Sequence, residues 1–289
     1  MMQTQKQPVR LGPVQETMLV PLYARAVETV RKRPILNDPK AVEMVASIDW
    51  DFGRFGQRTR TAGCALRSAM FDEWVERFLA SHPAGTVVEI GAGLNTRFER
   101  LDNGSVHWFD LDLPDVVEVR RRFFGDSDRR RTLACSILDP AWIDAVSGSP
   151  GPHFFVAETV FVYLAEEDVR AALAQVARAF PGAAIAFDTV SGRAVAHANR
   201  DHEGLGLAGR FVWACPDPTQ IEGWRIGLRL VESLSLRDIP AALWSRLPFR
   251  LRAGFGVLST LFPGVANAYR FNLFAGPSSA GTRRERSNP

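Results

Sequence analysis

The sequence predicts an α/β protein in which a parallel sheet carries helices on both faces. Three observations predict it. Short apolar runs bounded by glycine or polar turns recur at residues 86–90, 106–109, 132–137, 153–157 and 183–188, the form taken by strands buried on both faces. Helical patterns separate them, and strands joined in that way pair in parallel, because each return needs a crossover. The chain has 289 residues, 46% of them hydrophobic, enough to cover such a sheet within one domain that carries insertions.

Each element has its own signal. Residues 16–30 bear an apolar helical stripe with Pro21 near its start, and Pro34, Asp38 and Pro39 mark the turn that follows. Residues 65–80 place Leu66, Met70, Trp74 and Phe78 at four-residue steps, which defines one buried helix face. Ser81-His82-Pro83 ends that helix, and the first strand, 86–90, comes next. After the second strand, 106–109, an acidic turn Asp110-Leu111-Asp112 leads into a helix beginning at Pro114, where a missing N–H costs nothing. Glu166, Glu167 and Asp168 suit the positive end of the next helix dipole. Val169, Leu173, Val176 and Phe180 are its stripe, and Pro181-Gly182 stops it.

Beyond Asp188 the pattern loosens. Residues 191–224 are rich in glycine and polar groups and include tryptophans, as an inserted lid would be. Residues 229–236 and 268–274 are expected to close the sheet, and 276–289 to form a disordered polar tail.

Composition excludes several classes. No apolar run reaches the ~18 residues of a membrane span, and the start lacks the apolar core of a secretory signal. A cytoplasmic location is expected. The net charge is +3, and the basic clusters Arg120–122, Arg129–131 and Arg283, Arg284 and Arg286 are not interleaved with aromatics. They read as a solvated helix face and a tail, so nucleic acid is not an expected partner. Cys64, Cys135 and Cys215 lack CxxC spacing and are expected as free thiols. The five histidines show no metal-binding spacing, so no metal is expected.

Chemistry concentrates in VVEIGAGLNTRFERLD, residues 87–102. A buried strand ends in Gly91-Ala92-Gly93 and turns toward a helix. Without side chains at 91 and 93 the backbone can approach a ligand lying over the strand end. An acid about twenty residues on, at the end of the second strand, can accept from both ribose hydroxyls, and Asp110 and Asp112 both qualify. Their side chains should point the same way along an extended segment. A dinucleotide fingerprint wants a third glycine where Thr96 stands. A nucleoside without phosphates, such as S-adenosylmethionine, has no such need.

GAGLNTRFERLD (91–102), HWFDLDLPDVVEVRRRFF (107–124) and FFVAETVFVYLAEEDV (154–169) resemble successive signatures of the leucine carboxyl methyltransferase superfamily. Its bacterial branch acting on polyketides and other small molecules is the most similar, and ETMLVPLYARAVETVRKRPILNDPKAVEMVASIDWDF (16–52) resembles that branch too. The likeness spans roughly residues 14 to 190.

The resemblance implies a Rossmann-like class I methyltransferase sheet (84–275), an N-terminal helical cap (1–83) and the lid insertion near 191–224. It also implies S-adenosylmethionine as cofactor, with Gly91 at the glycine turn, Asp112 on the ribose and Arg67 on the cofactor carboxylate. Arg25 would add a second basic contact, Ser136 and Ile137 would border the adenine, and Glu158 would face the methionine end. Two positions depart from the family pattern. Asn95 replaces an aspartate and should keep a turn-side hydrogen bond, while Thr159 stands where glycine is frequent and narrows the space beside the reaction centre.

Methyl transfer from a sulfonium is an in-line displacement, so the main task is to position the acceptor. A carboxylate acceptor needs no base. A phenol or alcohol would gain from one, and His197 or Asp188, on the loop after the fifth strand, are the candidates. Arg193 could instead orient a substrate carboxylate, and Tyr163 and Thr159 could line the acceptor pocket. The expected reaction is O-methylation of a small acidic or phenolic metabolite, such as a polyketide, covered by the tryptophan-containing segment 205–224. The alternatives are a nicotinamide-dependent oxidoreductase and a non-catalytic cofactor-binding protein. Oligomeric state is left open.

Overall fold

The computed structural model describes residues 7–8, 12, 14–55 and 58–277. The expected tail, with Arg283, Arg284 and Arg286, lies outside the described residues from 278 onward. Seven strands form one sheet: β1 Thr86–Ile90, β2 His107–Asp112, β3 Arg130–Ala134, β4 His153–Ala157, β5 Ala184–Val190, β6 Arg229–Leu234 and β7 Tyr269–Ala275. Their order is β3-β2-β1-β4-β5-β7-β6. β1 to β5 are parallel, and β7 enters antiparallel between β5 and β6. The expected α/β fold is therefore found. The reversed β7 departs from the all-parallel 3-2-1-4-5-6 order of dinucleotide-binding sheets.

Side-chain alternation along the central strands divides the interior into two layers. Val88 and Ile90 of β1, Phe155 of β4 and Phe187 of β5 face one layer, which also holds Val169, Leu173 and Val176 of the helix Glu166–Ala179. Val87, Trp108, Phe154 and Ala186 face the other, against Leu66, Met70 and Trp74 of the helix Arg58–Ser81. Burial on both faces explains why these strands read as continuous apolar runs.

Numbering the helices in chain order, α1 is Leu19–Thr29, α2 Pro39–Ser47 and α3 Arg58–Ser81. Asp38 caps α2, its Oδ1 accepting from the Ala41 amide at 3.0 Å, with Pro39 at the first turn. The same carboxylate accepts from Arg25 Nε at 2.8 Å, while Arg25 Nη2 donates to the Leu94 carbonyl at 2.7 Å. These bonds fasten α1 and α2 to the turn after β1. Thr96, in the place of a third glycine, is fully buried and directs its hydroxyl to Asp38 at 2.5 Å.

Several boundaries differ from expectation. β2 runs on through Asp112, so Asp110-Leu111-Asp112 is strand and not turn, because each residue pairs with β3. β3 begins at Arg130 and stops at Ala134, which leaves Ser136 and Ile137 in the loop after it. β5 extends to Val190, held by β7, so Asp188 sits inside the strand. Arg120 and Arg130 are not part of a solvated face. They are 1% and 3% exposed, and both hold Asp110, Arg120 Nη2 at 2.8 Å and Arg130 Nε at 2.7 Å.

Residues 191–224 are more ordered than a loose lid. α4 Arg97–Leu101, α5 Pro114–Arg120, α6 Ala141–Ser147 and α7 Glu166–Ala179 precede α8, Gly192–Gly204, which is capped by Ser191. Trp213, Cys215 and Ile221 then enter the core on the β1–β5 side. The tryptophans of this segment therefore support the sheet and do not cover a ligand. Between β6 and β7, α9 Ala241–Arg246, α10 Phe249–Leu261 and α11 Pro263–Ala266 form an insertion that sequence reading did not assign. No helix among the described residues is long and apolar enough to cross a membrane.

Candidate active site

The carboxyl ends of β1, β2, β4 and β5 open into one large cavity, of about 1020 Å³. Gly91, Gly93, Arg67, Arg25, Asp112, Ser136, Ile137, Glu158, Thr159, Tyr163, Arg193 and His197 all line it. Asp110 and Asp188 do not.

The floor is the turn after β1. Gly91 and Gly93 have φ of +63° and +49°, and a Cβ at 91 would overlap Val160 Cγ2. Glycine is therefore needed at 91 for both backbone and space. The turn is held from beneath by Arg120, whose Nη1 donates to the carbonyls of Gly93 at 2.9 Å and Asn95 at 2.8 Å. Its shape is set before any ligand arrives.

At the end of β2, Asp112 accepts from the Gly93 amide at 2.6 Å and from the Leu113 amide at 2.7 Å. No cation pairs with it among the described residues. Burial pushes its carboxyl up to about 6, against the pull of those two amides. Such a group is suited to accepting from ribose hydroxyls, which would supply the missing donors. Asp110 must be withdrawn as an alternative. Burial would raise its carboxyl, but Arg120 and Arg130 overcome this and hold it below the usual range. Both its oxygens are consumed by those arginines.

Glu158 directly follows β4, at the other side of the turn. Its Oε1 accepts from Arg67 Nε at 2.8 Å and Ser68 Oγ at 2.9 Å, and its Oε2 from Arg97 Nη2 at 2.7 Å. Burial opposes its ionisation, yet the two guanidinium groups hold it down at about 2. The protein itself therefore balances this charge, through Arg67 and Arg97. Arg67 keeps Nη1 and Nη2 without a partner among the described residues, so one guanidinium edge is left for a carboxylate. Arg25, though it lines the cavity, spends Nε and Nη2 on Asp38 and Leu94, and a second cofactor contact from it is correspondingly disfavoured.

Beneath these residues lies a charge network that no spacing pattern in the sequence announces. Arg97 is 1% exposed and bonds Asp72 at 2.7 Å, Glu158 at 2.7 Å, and Glu89. Arg100 shares Asp72 at 2.8 Å. Asn95 donates to Glu89 at 3.0 Å, while its own Oδ1 accepts from the Thr96 amide at 2.8 Å. An aspartate here would keep the second bond but add another acid beside Glu89.

The acceptor side is more apolar. Tyr163 stacks on His202 with ring centroids 6.4 Å apart and meets Phe211 edge-on at 5.0 Å. Burial pushes its phenol up to about 12, so it is a neutral wall. His197 and Arg193 stand on α8 at the exposed rim, and His197 Nε2 lies 3.8 Å from Asp201. Phe262 and Val265 from the α10–α11 corner complete the mouth.

A glycine turn, a ribose-ready acid and a guanidinium edge in one cleft fit S-adenosylmethionine. The model for the leucine carboxyl methyltransferase family matches residues 18–177. The chain belongs to that family. Similarity to individual methyltransferases covers more of the chain. The tetracenomycin polyketide synthesis O-methyltransferase TcmP of Streptomyces glaucescens is 35% identical over 91% of this chain and 96% of its own length. The S-adenosyl-L-methionine-dependent methyltransferase dpfgK of Gibberella zeae is 26% identical over 78% and 83%. Among solved structures, a candidate methyltransferase from Thermobifida fusca superposes with a TM-score of 0.57 at 15% identity, covering 90% of this chain and 95% of that one. That likeness speaks for the fold alone. The protein is an S-adenosylmethionine-dependent methyltransferase, and the oxidoreductase and non-catalytic alternatives are set aside.

Proposed function

We propose that the protein methylates an oxygen, hydroxyl or carboxylate, of a small and largely apolar molecule of the polyketide type. One observation carries this reading. One cavity is lined both by Asp112 and Glu158 and by the apolar side chains of Phe211, Phe262 and Val265. Its volume, about 1020 Å³, is at the top of the ~300–1,000 Å³ range for single small-molecule sites, leaving room for cofactor and acceptor together. The similarity to TcmP, named for polyketide O-methylation, supports the same acceptor class.

In this reading Gly91, Gly93 and Asp112 hold the nucleoside, Ser136 and Ile137 border its base, and Arg67 holds the carboxylate. When bound, S-adenosylmethionine supplies an activated methyl group. The protein's contribution is to align an acceptor oxygen with it and to exclude water. Three unpaired cysteines fit a reducing, cytoplasmic setting.

Incubation with methyl-labelled cofactor and a panel of aromatic phenols and matched carboxylic acids tests the proposal. Label on oxygen of at least one apolar acceptor is expected. Transfer confined to nitrogen or sulfur acceptors, or to macromolecules, would contradict it.

A further inference from the structure

Like Asp112, Asp188 is a carboxylate of this region that no arginine bonds among the described residues, and unlike Asp112 it is fully buried. Asp38, Asp72, Glu89, Asp110 and Glu158 each have a guanidinium partner. Among the described residues Asp188 accepts only from neutral donors. Its Oδ1 accepts from the Thr159 amide at 2.8 Å, and its Oδ2 from Thr159 Oγ1 at 2.9 Å and from the Tyr269 hydroxyl. Asp188 lies opposite Phe271 in the β5–β7 ladder, so Tyr269 is its diagonal neighbour on the same face. Tyr269 and Thr159, unlike Asp188, line the cavity.

The local backbone is adapted to this arrangement. Thr159 has φ of +56°, a conformation that costs a non-glycine residue ~1–3 kcal/mol. Its two bonds to Asp188 hold it there, and its hydroxyl lies 3.3 Å from that of Tyr269. Thr159 directly follows Glu158, so the pair of hydroxyls stands beside the end of the site assigned to the methionine moiety.

We propose that Tyr269, backed by Asp188, receives the proton of a hydroxyl acceptor, and that the site is built for phenols or alcohols. The inference rests on the O-methyltransferase reading above. As the carbon–oxygen bond forms, the methyl–sulfur bond breaks and its electron pair remains on sulfur, cancelling the sulfonium charge. The acceptor's proton passes to Tyr269 Oη while Tyr269's own proton passes to Asp188 Oδ2. Asp188 ends neutral and returns the proton through Tyr269 to water once product leaves.

Burial pushes the Asp188 carboxyl up to about 6, Arg67 favouring its ionised form and Glu158 opposing it. Asp188 is thus ionised at neutral pH and close to the strength a base needs. A carboxylate acceptor is already ionised and would have no use for this pair.

The test compares wild type with Tyr269→Phe and Asp188→Asn, after calorimetry confirms that each binds S-adenosylhomocysteine. With phenol acceptors at saturating cofactor, both variants should lose ~100-fold or more in kcat. The wild-type fall in kcat as pH drops through about 6 should vanish in Tyr269→Phe. Independently of turnover, 1-naphthol should bind the S-adenosylhomocysteine complex of Tyr269→Phe ~3–10-fold more weakly, while 1-naphthoate binds both alike. Wild-type rates in Tyr269→Phe, or transfer to carboxylates only, would overturn the proposal and leave methyl transfer standing. A wild type that binds no S-adenosylhomocysteine would overturn the parent reading as well.

Discussion

Arg97→Met should lower stability by ~3–5 kcal/mol, the cost of removing one partner from a buried ion network. Arg97 bonds Asp72, Glu89 and Glu158 at once, and its side chain is 1% exposed. Methionine fills much of the volume but leaves three carboxylates facing one another in low dielectric. Arg67 and Ser68 still reach Glu158, and Arg100 still reaches Asp72, so Glu89 would be left worst served. Glu89 is already pushed upward by burial against the pull of Arg97, and the substitution would drive it to protonate. Urea denaturation followed by circular dichroism reads the loss. The exposed pair Arg77–Glu232 provides the contrast, since Arg77→Ala should cost less than ~1 kcal/mol. Equal effects at the two sites would mean that the buried network contributes no special stability.

Asp112→Ala should weaken S-adenosylhomocysteine binding ~10–150-fold, the equivalent of a charged hydrogen bond worth ~1.5–3 kcal/mol. The fold should survive, because Asp112 lines the cavity and makes no ion pair among the described residues. The pH dependence follows from the same group. Its folded carboxyl titrates near about 6, and only the ionised form accepts fully from two ribose hydroxyls. Wild-type affinity should therefore be constant above that value and decline as pH falls through it. In Asp112→Ala that decline should disappear. Calorimetric titration between pH 5 and 8 checks both statements, and a wild-type profile that is flat across this window would exclude Asp112 as the titrating group.

The parts of the site that were legible in the sequence are those fixed by local spacing. Gly91, Gly93 and Asp112 could be found because a parallel strand pair of ordinary length brings a glycine turn and an acid some twenty residues later to the same sheet edge. Asp110 and Asp112 could not be separated on that basis, since both obey the spacing. Arg120 and Arg130 separate them by binding Asp110, and their contacts depend on how α5 and β3 pack. For the same reason these arginines looked like surface charges, when in the fold they neutralise a buried acid and hold the glycine turn.

Trp213 shows a different limit. An apolar segment without clear periodicity can cover a ligand or enter the core, and its composition does not distinguish the two. Tyr269 was the hardest to see. It reaches Asp188 across 81 positions only because β7 inserts antiparallel beside β5, and no short-range pattern announces that pairing. The helices α9–α11, which bring Phe262 and Val265 to the cavity mouth, likewise carry no motif.

The central claim is that one nucleoside lies across the ends of β1 and β2. A crystal structure of the complex with S-adenosylhomocysteine tests it most directly. The ribose hydroxyls should donate to Asp112, the adenine should lie beside Ser136 and Ile137, and the carboxylate should meet the free edge of Arg67. A ligand bound elsewhere, with Asp112 still contacting only the Gly93 and Leu113 amides, would contradict the account.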